Sequence, residues 1–282
     1  MTTDRGHAAK GPKPGVVKTV TSLTNPIVKD IRSLQQRKFR RETGRFVAEG
    51  LKLVTDAVEA DWPIEILVHA EKVGAQPQVA QVAARVKARG GLILQVSEQV
   101  LGKITHRENP QMVVGVFRQK LTRLADIEPA GSTVWVALEG IKDPGNLGTV
   151  IRTVDSVGAA GVILVGDTVD PFSIETVRAT MGSIFAVPIA RATVAEFLAW
   201  KESFPGPVIG THLAGAVDYR TLNYPEPMIL LMGNEQSGLP QPIAAACDQL
   251  VKIPMAGKAD SLNLAVSTGI MLYEIRRERL VL

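Results

Sequence analysis

The chain has 282 residues, of which 45% are hydrophobic and 21% are charged. Such a length and balance are typical of one large or two ordinary globular domains. The sequence has neither an apolar run near the roughly 20 residues of a membrane-spanning helix nor an apolar signal-peptide segment. The one cysteine, Cys247, cannot form an internal disulfide. We therefore expect a cytoplasmic protein with no membrane partner, in which Cys247 is a buried structural thiol.

The formal net charge is +4, and positive charge is concentrated in the first 45 residues, where eleven Lys and Arg residues stand against three acidic ones. The densest part is residues 37–41, in which four basic side chains surround Phe39. Phosphate neutralisation and ring stacking make such a cluster typical of a polyanion-binding surface. A solvated basic helix end is an equally good interpretation of the cluster by itself.

Residues 1–18 are polar and rich in Gly, Pro and Lys, and we expect a disordered basic tail. Residues 19–118 predict a small α/β unit. Its first helix is capped by Asn25, has Pro26 in its first turn and presents Ile27, Ile31 and Leu34 on one face. Apolar runs and helical periodicity predict the remaining elements. The strands are expected at 46–48, 64–68, 92–96 and 112–117, and the helices at 49–59 and 76–89.

Residues 119–132 are polar and predict a linker to a second domain at 133–282. There, short apolar runs alternate with helical stretches, which predicts a largely parallel sheet covered on both faces. We expect one helix to begin at Asn146 and the last to begin at Ser261, its N-cap. The runs lie at 133–138, 161–165, 184–188, 208–211, 228–232 and 250–253. The apolar stripe of the last helix is expected to comprise Leu262, Ala265, Val266, Ile270 and Tyr273.

Three polar segments follow apolar runs of this domain, and the first is residues 143–152. Gly145 and Gly148 relieve backbone restriction at a strand-to-helix turn, and Asn146 can cap the helix. Arg152 lies about one and a half turns further along, opposite an apolar stripe. It either binds a phosphate bidentately or is an ordinary solvent-facing arginine, and both interpretations stay open.

The second segment, residues 232–239, follows the most apolar run of the chain and places Glu235 between Gly233 and Gly238. A carboxylate at the mouth of a strand can hold a ribose hydroxyl or orient another side chain. Alternatively, Glu235 begins the next helix and offsets its dipole.

The third segment joins residues 253–255 (Ile-Pro-Met) to residues 261–263 (Ser-Leu-Asn). We expect a slot in which backbone groups bind an adenine edge and apolar side chains hold its ring; an ordinary loop with a capped helix is the alternative. His212 either lines the same crevice or is an ordinary loop histidine. Because an open α/β sheet builds its ligand crevice at the carboxyl ends of its strands, the three segments together predict a ligand site.

Several common sites lack support in the sequence. The segments match neither the dinucleotide-binding glycine pattern nor the nucleoside-triphosphate loop, and no serine-hydrolase elbow is present. The four histidines are scattered and a second cysteine is absent, so we expect no metal site.

Residues 133–278, with the three segments in order, resemble the SpoU/TrmH-type branch of the SPOUT superfamily, the knotted S-adenosylmethionine-dependent RNA 2′-O-ribose methyltransferases. The front unit is similar to the ribosomal-protein-like substrate-binding domain of the rRNA-modifying members. That similarity rests on residues 22–29 (SLTNPIVK), 37–40 (RKFR) and 46–50 (FVAEG).

The resemblance implies an α/β chain in which a small RNA-binding domain precedes a SPOUT domain with a parallel sheet and a deep trefoil knot, an exception to the rule against knotted chains. It also implies a homodimer whose active site is completed across the subunit interface. The methyl-donor pocket is expected to include Gly233, Ile253 and Leu262, with Met255 and Thr211 as neighbours. The positions associated with catalysis and RNA positioning are Arg152, Asn146, Glu235, Ser261 and Asn263. Phosphate contacts are expected from Arg37, Lys38, Arg40 and Arg41.

The implied reaction is direct attack of a ribose 2′-hydroxyl on the methyl group of S-adenosylmethionine, without a metal. Arg152 helps to activate the hydroxyl or holds the adjacent phosphate. We expect 23S rRNA or a pre-ribosomal particle as the substrate. A tRNA 2′-O-methyltransferase, a silent RNA-binding assembly factor and an antibiotic-resistance methyltransferase are the alternatives, and the target nucleotide does not follow from the sequence.

Overall fold

Two separate β-sheets organise the chain, one on each side of Arg118, where the chain divides into two units. The computed structural model describes residues 15–129, 133–212 and 217–281. Within these residues, no helix is long and apolar enough to cross a bilayer.

The first unit is a five-stranded mixed sheet with helices between its strands. The strand order is β1-β4-β3-β5-β2; β1, β4 and β3 run parallel, whereas β5 is antiparallel to both β3 and β2. The strands are β1 (Val17–Val20), β2 (Arg45–Glu49), β3 (Ile64–Ala70), β4 (Leu92–Val96) and β5 (Val113–Arg118). The helices are α1 (Pro26–Ser33), α2 (Arg37–Thr43), α3 (Leu51–Glu59), α4 (Pro77–Ala88) and α5 (Glu98–Thr105).

The local rules predicted most of this unit. Asn25 caps α1 by accepting a hydrogen bond from the backbone N–H of Ile27, as expected. The buried face of α1 carries Val28, Ile31 and Leu34, whereas the predicted Ile27 is only half-buried. The predicted tail is wrong at its end, because Val17 and Lys18 belong to β1 and pair with β4. The rest of that prediction, residues 1–14, lies outside the described residues.

The second unit is a seven-stranded, fully parallel sheet in the order β10-β12-β9-β11-β6-β7-β8, as the alternation of strands and helices predicted. The strands are β6 (Val134–Glu139), β7 (Gly161–Val165), β8 (Ile189–Ala192), β9 (Val208–Thr211), β10 (Val217–Asp218), β11 (Met228–Met232) and β12 (Gln249–Lys252). The helices are α6 (Pro144–Ser156), α7 (Ile174–Ala179), α8 (Val194–Lys201), α9 (Gln241–Ala244) and α10 (Leu264–Ile275).

The segment before β6 belongs structurally to this unit. The backbone N–H of Thr122 donates to the carbonyl of Ile189, and Ile127 is buried in the core beside Trp135 and Phe197. Polar composition alone does not reveal such contacts, since one buried isoleucine anchors an otherwise exposed stretch.

The strand predicted at 184–188 is wrong. Residues 183–185 form a turn of 3₁₀-helix after Met181 and Gly182, both of which have positive φ angles, and the strand begins only at Ile189. Ile184 and Phe185 are buried all the same. The apolar run at 184–188 therefore indicates burial and not a strand.

The predicted stripe of the last helix is wrong for Val266 and Tyr273, although Ala265 is buried as expected. α10 buries Leu264, Met271 and Leu272, while Val266 is 51% and Tyr273 53% exposed. The helix carries apolar residues on all of its faces, so the periodicity of the sequence does not show which face is buried. The apolar side chains on the exposed face of α10 are therefore available to pack against a further surface.

After β12 the chain returns to pack α10 against α6, whose strand β6 lies on the far side of β9 and β11. The resemblance places the trefoil knot in this returning segment. Arg276, just beyond α10, holds the return in place. Its Nε donates to the carbonyl of Val157 at 3.2 Å, Nη2 donates to that of Gly158 at 3.3 Å, and Nη1 pairs with Glu226 at 2.7 Å.

We predict that Arg276→Met lowers the free energy of unfolding by about 2–3 kcal/mol. The substitution breaks a buried ion pair and leaves two carbonyls without their donor, but Arg279 still contacts Glu226. Urea unfolding at fixed protein concentration measures the change. The control is Arg277→Met, which removes an exposed pair with Glu274 and is expected to cost less than about 1 kcal/mol. Equal losses in both variants would contradict the role given to Arg276.

Candidate active site

The polar segments after β6 and β11 meet at the carboxyl edge of the parallel sheet. The two strands are neighbours, with Met232 in register with Leu138. Nδ2 of Asn234 donates to the carbonyl of Gly140 at 2.7 Å, which joins the two loops directly. The crevice predicted at this edge is therefore present.

Glu235 lies ahead of the first turn of α6, and this position overturns the alternative in which it begins the next helix. Its carboxylate accepts hydrogen bonds from the backbone N–H groups of Lys142 and Asp143, each at 3.4 Å, and from Nδ2 of Asn146 at 3.2 Å. Unpaired N–H groups and the positive end of the helix dipole stabilise a carboxylate at such a place. Glu235 thus connects the second segment to the first.

Asn146 in turn connects to the third segment. Because the carboxylate of Glu235 only accepts, the amide of Asn146 must present its NH₂ group to it and its oxygen to the other side. There Nδ2 of Asn263 donates to Oδ1 of Asn146 at 2.9 Å. The three side chains therefore form one hydrogen-bonded row, Glu235–Asn146–Asn263, and its members come from all three segments.

Both predicted helix caps in this region are wrong, and the residues that do cap the helices leave the Asn146 side chain able to bond to Glu235 and Asn263. Asp143 caps α6, since its Oδ1 accepts from the backbone N–H of Asn146 at 2.6 Å. Asn263 and not Ser261 caps α10, with Oδ1 accepting from Ala265 N at 2.9 Å. As Asp143 satisfies the helix start, the side chain of Asn146 remains available for Glu235 and Asn263.

A cavity of about 340 Å³ opens beside this row, between the ends of β9, β11 and β12 and the start of α10. Its size lies within the range of small-molecule sites. Glu235 and Ser261 line it, whereas Asn146, Asn263 and Arg152 do not. The five residues predicted for the methyl-donor pocket all line it, namely Gly233, Ile253, Leu262, Met255 and Thr211.

A tight turn at Gly233 shapes one wall of the cavity. A Cβ atom at this position would overlap the backbone of Gly238 and Leu239, so only glycine lets the chain fold back so closely. Oδ1 of Asn234 accepts the backbone N–H groups of Gln236 at 2.9 Å and Ser237 at 3.2 Å. The wall is thereby rigid and presents backbone atoms to the cavity.

Further residues line the cavity beside those predicted for the methyl-donor pocket. His212 lines the cavity, so of its two interpretations the one that places it in the crevice is confirmed. Lys252 at the end of β12 and Ser267 on α10 also line it. Ser267 had a usable signal, because it is a small polar residue one turn after Asn263 in a largely apolar helix.

Arg152 is exposed on α6, six residues or about 9 Å of helix beyond Asn146. It forms neither a hydrogen bond nor an ion pair with any residue that the structure describes. Gly148, one turn earlier, sits where a Cβ would overlap the side chain of Ala179 on α7. The close packing of two helices, more than turn geometry, thus explains this glycine of the first segment.

The structure removes Arg40 from the predicted phosphate-binding cluster of the first unit. Arg40 is only 4% exposed, and its Nη1 donates to the carbonyls of Leu34 and Gln35, each at 2.8 Å. Those carbonyls end α1 and need donors, which is the physical reason for its inward position. Arg37, Lys38 and Arg41 are exposed on α2.

Cys247 has the properties expected of a structural thiol. Burial raises its pKa to about 11, and its Sγ donates to the carbonyl of Ile243 at 3.4 Å. A thiol that stays protonated at neutral pH is a poor nucleophile. The described residues include no group of three or more His, Cys, Asp or Glu side chains arranged to hold a metal ion.

We predict that Asn263→Ala lowers the free energy of unfolding by about 1 kcal/mol, because α10 loses its cap. Asn263→Asp retains the accepting oxygen and is expected to stay within about 0.5 kcal/mol of the parent chain, although it loses the donation to Asn146. Thermal unfolding of the two variants checks the pair. If Asn263→Asp were as unstable as Asn263→Ala, the row and not the cap would hold the segment in place.

Comparison with known proteins assigns the two units. Residues 133–273 match the SpoU rRNA Methylase family, and residues 25–115 match an MRM3-like substrate binding domain. The crystal structure of an AdoMet-bound rRNA methyltransferase from Sinorhizobium meliloti superimposes with a TM-score of 0.89 at 59% identity, covering 94% of this chain and 99% of that one.

Curated relatives match over similar lengths. The 23S rRNA (guanosine(2553)-2′-O)-methyltransferase RlmP of Bacillus subtilis is 30% identical over 92% of this chain and 100% of its own length. A 23S rRNA (uridine(2479)-2′-O)-methyltransferase of Streptomyces viridochromogenes is 31% identical over 88% of each chain. With a family match over its parallel sheet and relatives that it spans almost completely, this chain belongs to the SpoU rRNA methylase family.

Proposed function

We propose that this protein transfers the methyl group of S-adenosylmethionine to the 2′-hydroxyl of a ribose in 23S rRNA. The observation that carries the proposal is the cavity at the sheet edge, which Glu235 lines and beside which the row Glu235–Asn146–Asn263 lies. Family membership and the two curated relatives, both named as 23S rRNA 2′-O-methyltransferases, support the substrate class.

The cavity lining fits S-adenosylmethionine. Ile253, Leu262 and Met255 offer apolar contacts to a purine ring, and the backbone at Gly233 and at the end of β12 offers donors and acceptors to its edge. Glu235 supplies a negative charge for the hydroxyls or the cationic groups of such a ligand. Apolar walls with few polar groups are the usual composition of a cofactor site.

When bound, S-adenosylmethionine supplies an electrophilic methyl group, and the protein positions the attacking hydroxyl. Glu235 orients the Asn146 amide, and Asn263 holds the same amide from its other side. Ser261, at the cavity edge, and Asn263 then place the ribose in line for transfer. Holding two reactants in an aligned geometry is by itself a large contribution to rate.

Arg152 binds the phosphate beside the attacked ribose. A guanidinium stays protonated at neutral pH, so it stabilises negative charge as the hydroxyl loses its proton to the phosphate or to water, and it does not itself take the proton. Its exposed place on α6, outside the cavity lining, suits contact with a large substrate.

We also propose a homodimer that pairs through the exposed apolar face of α10. Val266 and Tyr273 are exposed and Ile270 is half-buried; their spacing of four and three residues places them on one face, next to Ser267 at the cavity. Burying this face against a second copy would close the cavity and allow the partner to supply Arg152. Because rRNA is the proposed substrate, we place the protein in the cytoplasm.

Arg152→Ala is expected to lower methyl transfer at least about 100-fold while leaving S-adenosylmethionine binding within about twofold, because a transition-state contact is lost and the cavity is untouched. Arg152→Lys keeps the charge but not the planar fork, and we expect an intermediate rate. The assay transfers labelled methyl to unmodified 23S rRNA, 16S rRNA or tRNA, and calorimetry measures cofactor binding.

The outcomes separate the candidate functions. Label in the ribose of 23S rRNA supports the proposal, and label in tRNA instead would redirect it to the alternative substrate. If the parent chain neither binds the cofactor nor transfers label to any of the RNAs, the protein would be a silent RNA-binding factor and the proposed activity would be wrong.

Val266→Asp with Tyr273→Asp is expected to give a monomer in sedimentation, with methyl transfer reduced more than about 100-fold, because charge is placed on the apolar α10 face. The matched control is Val281→Asp at the exposed C-terminal end, which should leave both the mass and the rate unchanged. A fully active monomer would contradict the shared site.

A further inference from the structure

A second cavity, larger than the first, lies in the first unit between the end of α1, helix α5 and the loop that follows α5. It has a volume of about 610 Å³, and Arg32, Lys103 and Arg107 line it together with Gln99, Asn109 and Met112. It does not include the α2 cluster at residues 37–41, which sequence analysis had identified as the basic surface of this unit.

The loop on one side of this cavity is held in a fixed shape. His106 ends α5 with φ +54°, a conformation that few non-glycine residues adopt, and the backbone N–H of Arg107 donates to the carbonyl of Gly102 at 3.1 Å. Nε of Arg107 lies 3.5 Å from the carboxylate of Glu49, whose side chain is only 3% exposed. Constrained non-glycine residues of this kind are concentrated at binding sites.

Positive charge at this cavity is available for a ligand. The lining holds three Lys and Arg side chains against two carboxylates, of which Glu98 is paired with Lys72 at 2.7 Å and Glu108 is exposed. Arg32 and Lys103 form no ion pair with any residue in the described part of the chain. The exposed Lys103 and the half-buried Arg32 therefore offer two cationic side chains to an anion in the cavity.

We propose that this cavity binds an unpaired nucleotide of the RNA substrate, an inference that rests on the proposed function. Arg32 and Lys103 contact the flanking phosphates, the amides of Gln99 and Asn109 contact the base edge, and Met112 packs against the ring. Proteins read RNA sequence mainly at such splayed bases, because a duplex hides its base edges in a deep, narrow groove. The first unit therefore selects a loop of the substrate and the second unit modifies it.

The test measures binding of a fluorescent nine-nucleotide single-stranded RNA of mixed sequence to the full chain by anisotropy. Arg32→Gln with Lys103→Gln is expected to weaken binding at least tenfold. The slope of log affinity against log salt should fall in magnitude by about 1.4, or about 0.7 for each lost phosphate contact. The matched control, Arg85→Gln with Lys87→Gln, removes the same two residue types from the exposed surface of α4 and should change affinity less than twofold.

A second comparison addresses the base. Gln99→Ala with Asn109→Ala should leave the salt slope unchanged and reduce the differences in affinity among nine-nucleotide homopolymers of A, C, G and U. Unchanged affinity in the Arg32/Lys103 variant, or an equal loss in the control, would overturn the inference. A loss seen only with a twelve-base-pair RNA duplex would overturn it as well.

S-adenosylmethionine binding, measured on every variant, separates this inference from the proposed function. Normal cofactor binding shows that the second unit of a variant is intact, because the cofactor cavity lies in that unit, and circular dichroism with thermal unfolding checks that the first unit is folded. If the parent chain methylates RNA and the Arg32/Lys103 variant keeps its RNA affinity, only the cavity inference fails. If the parent chain binds RNA but neither binds nor uses the cofactor, only the proposed function fails.

Discussion

The arrangement of the candidate active site depends on one carboxylate at the start of one helix. Glu235 accepts hydrogen bonds from two backbone N–H groups ahead of α6 and from the side chain of Asn146. Since a carboxylate only accepts, it decides which way the Asn146 amide faces, and the amide in turn accepts from Asn263. A single acceptor thereby sets the relative position of three loops that are far apart in the chain. The cavity that we propose for the methyl donor lies beside them.

The return of the chain after β12 makes this meeting possible. α10 packs on α6, and Asn263 begins α10 where Asn146 lies in the first turn of α6. At the other end of the same helix pair, Arg276 bonds to the carbonyls that follow α6. Polar contacts therefore hold both ends of the pair, and packing holds its middle. The exposed face of α10 takes part in none of these contacts, and we propose that it packs against a second copy of the chain.

Local rules succeeded where a short segment determines its own structure. The parallel sheet follows from alternating apolar runs, and the first helix follows from Asn25 and Pro26. The local rules failed where a group far away in the chain determines the position of a side chain. Arg40 turns inward because α1 ends with carbonyls that need a donor, and Asp143 displaces Asn146 as a helix cap. The run at 184–188 is apolar because it is buried, not because it is extended.

The sequence by itself determined the family, the α/β class with its parallel sheet and the residue types at the sheet edge, since these depend on periodicity and on motifs that are contiguous in the chain. Only the tertiary structure decided which of those residues touch. It joined Glu235, Asn146 and Asn263, left Arg152 exposed outside the cavity and formed a second cavity around Arg32 and Lys103. The physical reason is that a hydrogen bond depends on distance and direction in space, and the partners here lie 89 and 117 residues apart in the chain.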